Sequence, residues 1–296
     1  MASVTSLYLC NRTIQAAVGK AGGKRVKIKK LAAATLPEGC LINGVITNEA
    51  VLAAALDEFF TANALPRKRV RLVIDSTQIM TKVFAAPPLS QKKLFKVIGK
   101  EMAIGMETQD HPLVDYMPLE KTDKAATLLA SAVEAAFVES YDALANSASF
   151  TIGCIDAALA CELKLLRRLP CFAGKVSVVL NFDGDTLHAL LLEDGRYKYS
   201  SRSRLFNTHG SPALGAEVAQ TLSGTTQFQL SSKGQPVTDV FFAACTPEDL
   251  DACRPGCDQL GLRVEPLPDA PKTAALPGEG LRLADCIYTV GNLIGK

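Results

Sequence analysis

The sequence predicts an α/β protein made of two lobes with the same kind of fold. The main observation is a pattern of three strands that occurs twice, at residues 6–29 and again at residues 176–202. Each copy has an apolar strand, a polar loop, a second strand, a tight turn and a third strand of alternating polarity. Helical segments follow both copies. We therefore expect two like-folded lobes that face a cleft.

The length and composition fit two globular domains. The chain has 296 residues, of which 48% are hydrophobic and 21% are charged. Its net charge is only +2, so the composition gives no reason to expect a nucleic-acid partner. The N-terminus lacks the features of a signal peptide, and no apolar stretch reaches membrane-spanning length. We expect a cytoplasmic protein, which could sit against a membrane through a partner.

The cysteines and histidines do not form a recognisable metal site in the sequence. In a reducing cytosol, the nine cysteines are best interpreted as small core side chains. Cys253 and Cys257 form a C-x3-C pair, but no second pair or nearby histidine completes a ligand set. His188 lies on an alternating strand, where a structural role is favoured. We therefore predict no metal.

Capping residues and apolar spacing define the elements that follow the first three strands. Asn48 is expected to cap a helix whose apolar residues recur at helical spacing up to Phe60. Residues 70–74 predict a buried strand, and residues 79–83 predict an edge strand. Ser90 begins a basic amphipathic helix. Its lysines predict a solvated helix face, with an acidic partner or membrane head groups as the alternative.

The rest of the first lobe is expected to contain an irregular segment, two strands and two helices. Residues 103–122 are polar and contain prolines, so they predict an irregular segment. A buried strand is expected at residues 128–133, a helix at 138–148 and a short strand at 150–155. Asp156 is then expected to cap a helix that ends at a proline.

The second lobe continues after its three strands with alternating helices and strands. A helix from Pro212 is followed by a buried strand over residues 237–244. Thr246 has the features of a helix cap, with proline next and acidic residues in the first turn. A strand, a proline-rich loop and a closing helix complete the chain. We place the first lobe at residues 1–165 and the second at residues 166–296.

Five stretches carry a family resemblance through their order and spacing. They are residues 36–46, 80–101, 115–119, 241–246 and 287–293. In these stretches the chain resembles a divergent member of the PilM family, the actin-like cytoplasmic component of type IV pilus assembly. That family is related to FtsA and to the actin, sugar-kinase and chaperone ATPases. The resemblance implies a two-lobed actin-like fold (a duplicated ribonuclease H-like fold) with a small inserted subdomain at about residues 78–120.

The resemblance also implies ATP with Mg2+ between the lobes, held by the turns of two strand–turn–strand hairpins. Such a turn needs a carboxylate to hold water around the metal and a glycine that lets the backbone approach phosphate. The first turn contains Asn11 and Arg12 but neither a carboxylate nor a glycine. In the second turn, Asn181 stands at the position of the acid and Asp183 at that of the glycine, with Gly184 displaced by one residue.

The candidate cofactor-binding residues are therefore Asn11, Asp183, Gly184, Asp185 and Thr186. A metal could be ligated by Asp183 and Asp185, although a plain polar hairpin turn explains them as well. The loop that should contact adenine has residues 244–246 in place of paired glycines. Because three sites depart from the family pattern together, we expect no ATP turnover.

No other catalytic residues are predicted. The sequence contains no Walker-type loop, no G-x-S-x-G turn and no H-E-x-x-H motif. The prediction is a non-enzymatic scaffold, a pseudo-ATPase of a type IV pilus or related secretion assembly. Two alternatives stay open: an actin-like ATPase with a variant metal site at Asp183 and Asp185, and a cytoplasmic component of a general secretion system, related in fold to its L component.

The resemblance implies a partner as well. In the family, a groove beside the inserted subdomain holds the N-terminal cytoplasmic tail of PilN, a single-span membrane protein. A sheet edge next to an amphipathic helix suits an extended peptide. Residues 79–84 and 94–102 are therefore the predicted contacts, and a PilN-like protein would hold the chain at the inner face of the membrane.

Overall fold

The computed structural model describes residues 3–23, 25–87, 89–106, 112–122, 125–278 and 281–295. The chain divides into two compact units. The first unit comprises Met1–Lys164 together with Tyr288–Lys296, and the second comprises Leu165–Ile287. The division lies beside the predicted boundary, but the C-terminal residues return to the first unit.

The first unit is built on a twisted sheet whose strands run in the order β10-β6-β1-β2-β3. Strands β1, β2 and β3 are antiparallel, whereas β6 runs parallel to β1 and β10 runs parallel to β6. The elements are β1 (Val4–Leu9), β2 (Thr13–Gly19), β3 (Val26–Thr35), β4 (Leu41–Ile42), β5 (Val45–Ile46), α1 (Glu49–Ala62), β6 (Val70–Ile74), β7 (Met80–Ala86), α2 (Gln91–Gly105), β8 (Leu113–Lys121), β9 (Ala126–Val133), α3 (Ala135–Ser147), β10 (Ile152–Ala157) and α4 (Ala158–Leu166).

Helices α1 and α3 bury one face of this sheet. Leu52, Leu56 and Phe60 of α1 pack with Tyr141 of α3 against the apolar residues of β1 and β2. Asn48 caps α1 as predicted, because its side-chain oxygen accepts a hydrogen bond from the Val51 N–H at 3.2 Å. The spacing of apolar residues in the sequence thus corresponds to the buried side of the helix.

The C-terminal segment packs on the opposite face, which corrects the predicted lobe assignment of residues 288–296. The rings of Tyr8 and Tyr288 lie 4.6 Å apart, and both side chains are buried. Gly291 approaches the backbone of Cys161 so closely that an added Cβ would lie 2.0 Å from the Cys161 carbonyl oxygen. These contacts tie the last helix, α7 (Ile287–Leu293), to the first unit.

An inserted three-stranded sheet has the order β7-β9-β8. Strand β9 pairs with both neighbours along its length, so it is the central strand of the insertion. The insertion therefore extends to residue 133, beyond the predicted end near residue 120. The buried strand predicted at residues 128–133 is β9; its apolar pattern is that of any buried strand and does not identify the strand's neighbours.

Strand β8 forms where the sequence predicted an irregular segment. Pro118 lies within this strand, at a position next to an irregularity in its pairing with β9. Because β8 is the outermost strand of the inserted sheet, a proline that cannot donate a backbone hydrogen bond is tolerated there. Pro118 is therefore compatible with a strand at this position.

The second unit repeats the topology of the first. Its sheet has the order β13-β12-β11-β14-β15, with β11, β12 and β13 antiparallel and β14 parallel to β11. The predicted repeat is thus confirmed, because β14 pairs parallel with β11 just as β6 pairs parallel with β1. The elements are β11 (Val176–Asp183), β12 (Thr186–Glu193), β13 (Arg196–Arg204), α5 (Pro212–Ser231), β14 (Asp239–Ala243), α6 (Pro247–Gln259), β15 (Arg263–Pro266) and β16 (Ala274–Ala275), with 3-10 turns at Pro170–Phe172 and Leu283–Cys286.

Helices α5 and α6 approach each other closely at two glycines. An added Cβ at Gly215 would lie 2.0 Å from the Ala252 carbonyl oxygen, and one at Gly256 would lie 2.6 Å from the Ala219 Cβ. Thr246 caps α6 in a capping box with Asp249, as its sequence predicted. Within the described residues, no helix is both long and apolar enough to cross a membrane.

We predict that Gly215→Ala destabilises the protein, because its methyl group would overlap a backbone carbonyl that cannot move without separating the helices. Overpacking of this kind costs about 1–3 kcal/mol or more. Urea unfolding of the full chain measures the loss. Gly224→Ala, on the same helix with nothing within 4 Å of the added Cβ, is the matched control. It should be stabilising by up to about 1 kcal/mol, and equal losses in both variants would contradict the close-approach argument.

Candidate functional site

The first candidate residue, Asn11, holds a hairpin of its own unit. Its side-chain oxygen accepts a hydrogen bond from the Asn43 N–H at 2.6 Å. Asn43 and Gly44 join β4 to β5 with φ values of 51° and 74°, as a type I′ turn requires. Two further hydrogen bonds hold the hairpin. The side-chain amide of Asn43 donates to the Thr77 hydroxyl, and the Tyr141 hydroxyl donates to the Gly44 carbonyl. The Asn11 amide oxygen thus has a structural partner within the unit.

The second candidate turn joins β11 to β12. Asp183 and Thr186 are the last paired residues of the two strands, and Gly184 and Asp185 form the turn between them. Gly184 has a φ of 59° at the first central position, where a type II′ turn requires glycine. An added Cβ there would meet nothing within 4 Å. The glycine therefore serves the turn conformation, not a close approach within the unit.

His209 anchors this turn to helix α6. Its Nε2 lies 3.0 Å from the Gly184 carbonyl oxygen, and its Nδ1 lies 3.0 Å from a carboxylate oxygen of Asp249. Both partners accept hydrogen bonds, so this geometry uses an N–H on each ring nitrogen, which is the charged imidazolium. Asp249 also accepts from the backbone N–H groups of Gly210 and Thr246.

The protonation of this pair follows from its contacts. Partial burial disfavours the charged ring, but the hydrogen bonds to Asp249 and Gly184 outweigh it and raise the pKa of His209. Burial likewise disfavours the carboxylate, yet hydrogen bonds from the Thr246 backbone, His209 and Gly210 lower the pKa of Asp249. Sequence reasoning missed His209, because forty residues separate it from its carboxylate partner and no motif spacing connects them.

Asp185 of the second turn also has partners within the unit. The Asp185 carboxylate lies 3.5 Å from the Nε of Arg204. The backbone carbonyl of Asp185 accepts a hydrogen bond from the Leu205 N–H at 2.7 Å. Thr186 is buried. Among the described residues, no three His, Cys, Asp or Glu side chains come together as a metal-binding group.

The cysteine pair considered as a metal site lies in the core of the second unit. Cys253 and Cys257 are both buried there. Burial raises the pKa of Cys253 to about 12 and that of Cys257 to about 11. A thiol must lose its proton to ligate a metal, so this apolar environment opposes ligation.

The loop at residues 244–246, which the family resemblance places against adenine, has a backbone conformation typical of glycine although it contains no glycine. Ala244 has a φ of 51°, a conformation that glycine adopts more easily than alanine. The next residue, Cys245, accepts a hydrogen bond from Arg282 at its carbonyl oxygen (3.2 Å). Thr246 then caps α6.

A groove of about 360 Å3 lies within the first unit, between the inserted sheet and strand β10. One wall is the face of the inserted sheet that α2 does not cover, since residues alternate between the two faces of a strand. The other wall consists of β10 and of residues from α3 and α4. The lining includes Leu113, Asp115, Met117, Leu129, Ser131 and Val133 on the sheet side, and Val138, Asp142, Ala160 and Lys164 with residues 152–157 on the other side.

Both flanking strands are outermost in their sheets. Strand β10 ends the order of the main sheet, and β8 ends that of the inserted sheet. An outermost strand presents backbone N–H and C=O groups along which a further strand can pair. The groove therefore combines two possible pairing edges with an apolar wall.

Helix α2 lies outside this groove, contrary to the predicted contacts at residues 94–102. Its apolar residues Leu94, Ile98 and Met102 are buried in the core that α2 forms with the inserted sheet. Of the predicted segment 79–84, Ile79 lines the groove. Amphipathic spacing identified the helix but could not show that its apolar side is used internally.

A buried ion pair lines the groove and corrects the predicted role of Asp156. This residue belongs to β10, where its carboxylate lies 2.9 Å from the Lys164 Nζ and 3.4 Å from an Arg71 guanidinium nitrogen. Arg71 in turn donates to the Asn292 carbonyl oxygen at 3.0 Å. Asp156 therefore pairs with Lys164 across the start of α4 and does not cap that helix through a side-chain hydrogen bond to its first turn.

We predict that His209→Gln lowers stability more at acidic than at alkaline pH. A raised pKa means that the contribution of His209 is fully present below its ordinary value of 6.5 and is lost as pH rises through the higher folded value. Urea unfolding at about pH 5.5 and about pH 8.5 measures the difference. In an Asp249→Asn background this pH dependence should largely disappear. A substitution effect of the same size at both pH values would contradict a charged pair of His209 and Asp249.

Comparison with known proteins gives no match to any protein-family model or curated protein sequence. Solved structures do match. The chain is similar to one in a PilM–PilN type IV pilus biogenesis complex, with a TM-score of 0.79 and 15% identity, over 98% of this chain and 97% of that one.

Two further solved structures are similar over most of their length. One is a protein of unknown function with an actin-like ATPase fold from Bacteroides thetaiotaomicron (TM-score 0.58, 9% identity, 90% of both chains). The other is the ethanolamine utilization protein EutJ from Carboxydothermus hydrogenoformans (TM-score 0.53, 9% identity, 100% of this chain and 90% of that one). The repeated sheet topology and these similarities together confirm the predicted fold: the chain has the actin-like ATPase fold.

Proposed function

We propose that this protein is a PilM-like scaffold of a type IV pilus or related secretion assembly, and that its groove docks an extended segment of a partner. The observation that carries the proposal is the groove between two outermost strands, β8 and β10. The similarity to a PilM–PilN complex over 98% of the chain supports the same assignment. The proposed segment is the N-terminal cytoplasmic tail of a PilN-like single-span membrane protein.

The two walls of the groove would contribute differently to such a complex. Backbone pairing along β10 or β8 gives affinity without depending on the sequence of the peptide. Sequence preference comes from side-chain pockets, here between Leu113, Met117 and Leu129 on the sheet wall and Val138 on α3. We expect a tail whose alternate residues are apolar.

Charged groups also line the groove. Asp156 and Lys164 line it together with Asp115 and Asp142. Charged groups among apolar ones restrict which peptides fit and in which register. We therefore expect the tail to place polar residues beside these four side chains.

We further propose that the nucleotide site is degenerate and that the protein is not an ATPase. The support is that the candidate residues have structural roles within their own units. The Asn11 side chain accepts a hydrogen bond from the Asn43 backbone, Gly184 provides the positive φ of its turn, and the Asp185 carboxylate lies beside Arg204. The first turn has neither the carboxylate nor the glycine that the family resemblance requires, and in the second turn Asn181 and Asp183 stand at the two required positions. In this proposal the protein is cytoplasmic and is held at the membrane by its partner.

The groove assignment predicts different effects for two similarly exposed residues of the insertion. Leu113 is 47% exposed and lines the groove, whereas Val97 is 45% exposed and lies on α2. Leu113→Asp should weaken binding of a labelled synthetic tail peptide by at least about tenfold, because a charge would be buried against apolar groups. Val97→Asp should leave binding unchanged.

Fluorescence anisotropy with the tail of the PilN-like protein from the same organism measures both affinities. Thermal unfolding of each variant confirms that the fold is retained. If the unsubstituted protein does not bind the tail, or if both variants bind alike, the groove assignment is wrong.

Calorimetric titration with Mg-ATP tests the nucleotide proposal separately. We expect no saturable heat with the unsubstituted protein, because neither turn has both groups at the positions that the fold uses for phosphate and metal. Saturable binding in the micromolar range that is lost in Asp183→Ala would show instead that the variant turn is a working site.

A further inference from the structure

Basic residues are concentrated at the start of the chain. The first 37 residues contain seven Lys and Arg and no Asp or Glu, whereas the whole chain has 32 basic and 30 acidic residues. The remainder of the chain is therefore net acidic. Six of the seven basic residues fall between Lys20 and Lys30, in and beside the turn that joins β2 to β3.

Four of these cations are exposed. They are Lys20, Arg25, Lys27 and Lys29, and none of them takes part in an ion pair among the residues that the structure describes. In contrast, Lys30 is half-buried and donates a hydrogen bond to the Asn63 carbonyl at the end of α1. We name the first four residues the basic hairpin.

The backbone of the basic hairpin is anchored, so its charges are presented from an ordered surface. Val26 and Ile28 are buried and alternate with Lys27 and Lys29 along β3. A β-bulge interrupts the pairing of β2 with β3 beside Lys29. The turn is fixed at its other end by a hydrogen bond from the Gly22 N–H to the Leu293 carbonyl at 2.9 Å.

The side chains of the basic hairpin suit a diffuse anionic surface. Three of the four are lysines, whose compact ammonium groups recognise charge without the fixed bidentate geometry of arginine. Residues 20–31 contain no aromatic side chain on which a nucleobase could stack or that could anchor a protein interface. A cluster of this size next to an anionic membrane gains attraction from each cation in turn.

We propose that the basic hairpin binds the anionic phospholipid head groups of a membrane surface. This inference goes beyond the proposed function, since it requires neither the groove nor a protein partner. Binding through head groups alone is reversible and weakens as salt screens the charges.

Co-sedimentation with vesicles tests this proposal. The full chain is mixed at low salt with vesicles of phosphatidylglycerol and phosphatidylcholine in equal amounts, and with vesicles of phosphatidylcholine alone. We expect binding to the anionic vesicles only. Each cation at such a surface contributes roughly fivefold, so the combined Lys20→Gln, Lys27→Gln and Lys29→Gln variant should bind on the order of a hundredfold more weakly.

A second triple variant on the same unit provides the matched control. Lys92→Gln, Lys93→Gln and Lys96→Gln remove the same net charge from the exposed face of α2. We expect this variant to bind anionic vesicles like the unsubstituted chain. Leu113→Asp should also bind normally, so the membrane proposal and the groove proposal can fail independently.

Three results would overturn the proposal. The first is no binding of the unsubstituted chain to anionic vesicles at low salt. The second is an equal loss in the two lysine variants, which would indicate a response to net charge alone. The third is hairpin-dependent binding to DNA or to a polyglutamate peptide while anionic vesicles are not bound.

Discussion

The buried carboxylate of Asp156 is the constraint on which the first unit depends. A buried charge that loses its partners costs about 3–5 kcal/mol, so the fold must bring cations to it. Lys164 comes from α4 and Arg71 from β6, and Arg71 also reaches Asn292 in the C-terminal segment. One charge therefore fixes the position of an outermost strand, the following helix and the end of the chain. Two of these elements, β10 and α4, contribute residues to one wall of the groove.

The duplicated sheet shows how one topology can carry different chemistry. The antiparallel strands β1-β2-β3 and β11-β12-β13 are each joined by a parallel strand, yet their first turns are held differently. In one, the Asn11 amide caps a neighbouring hairpin; in the other, a type II′ turn is anchored by His209. The strands require only side chains that can be buried in the sheet, whereas the turns are free to change. The fold is therefore weak evidence of activity.

Local patterns in the sequence predicted most of the elements but few of their neighbours. Caps such as Asn48 and Thr246 act within one helical turn, and both were predicted from the sequence. The placement of β9, the return of Tyr288 to Tyr8 and the contact of His209 with Asp249 join residues far apart in the chain. Such contacts are decided by packing, and a single sequence carries no periodic signal for them. The groove was missed in part for the same reason, since it exists only where two sheets meet.

The two outermost strands beside the groove have a consequence for how the protein must be produced. A strand that ends its sheet can pair with any extended chain, including a second copy of itself. Leu113 adds an exposed apolar side chain to one of these edges. If the groove docks the partner proposed above, an excess of this chain over that partner favours self-association. The yield of well-behaved protein then depends on the ratio in which the two chains are synthesised.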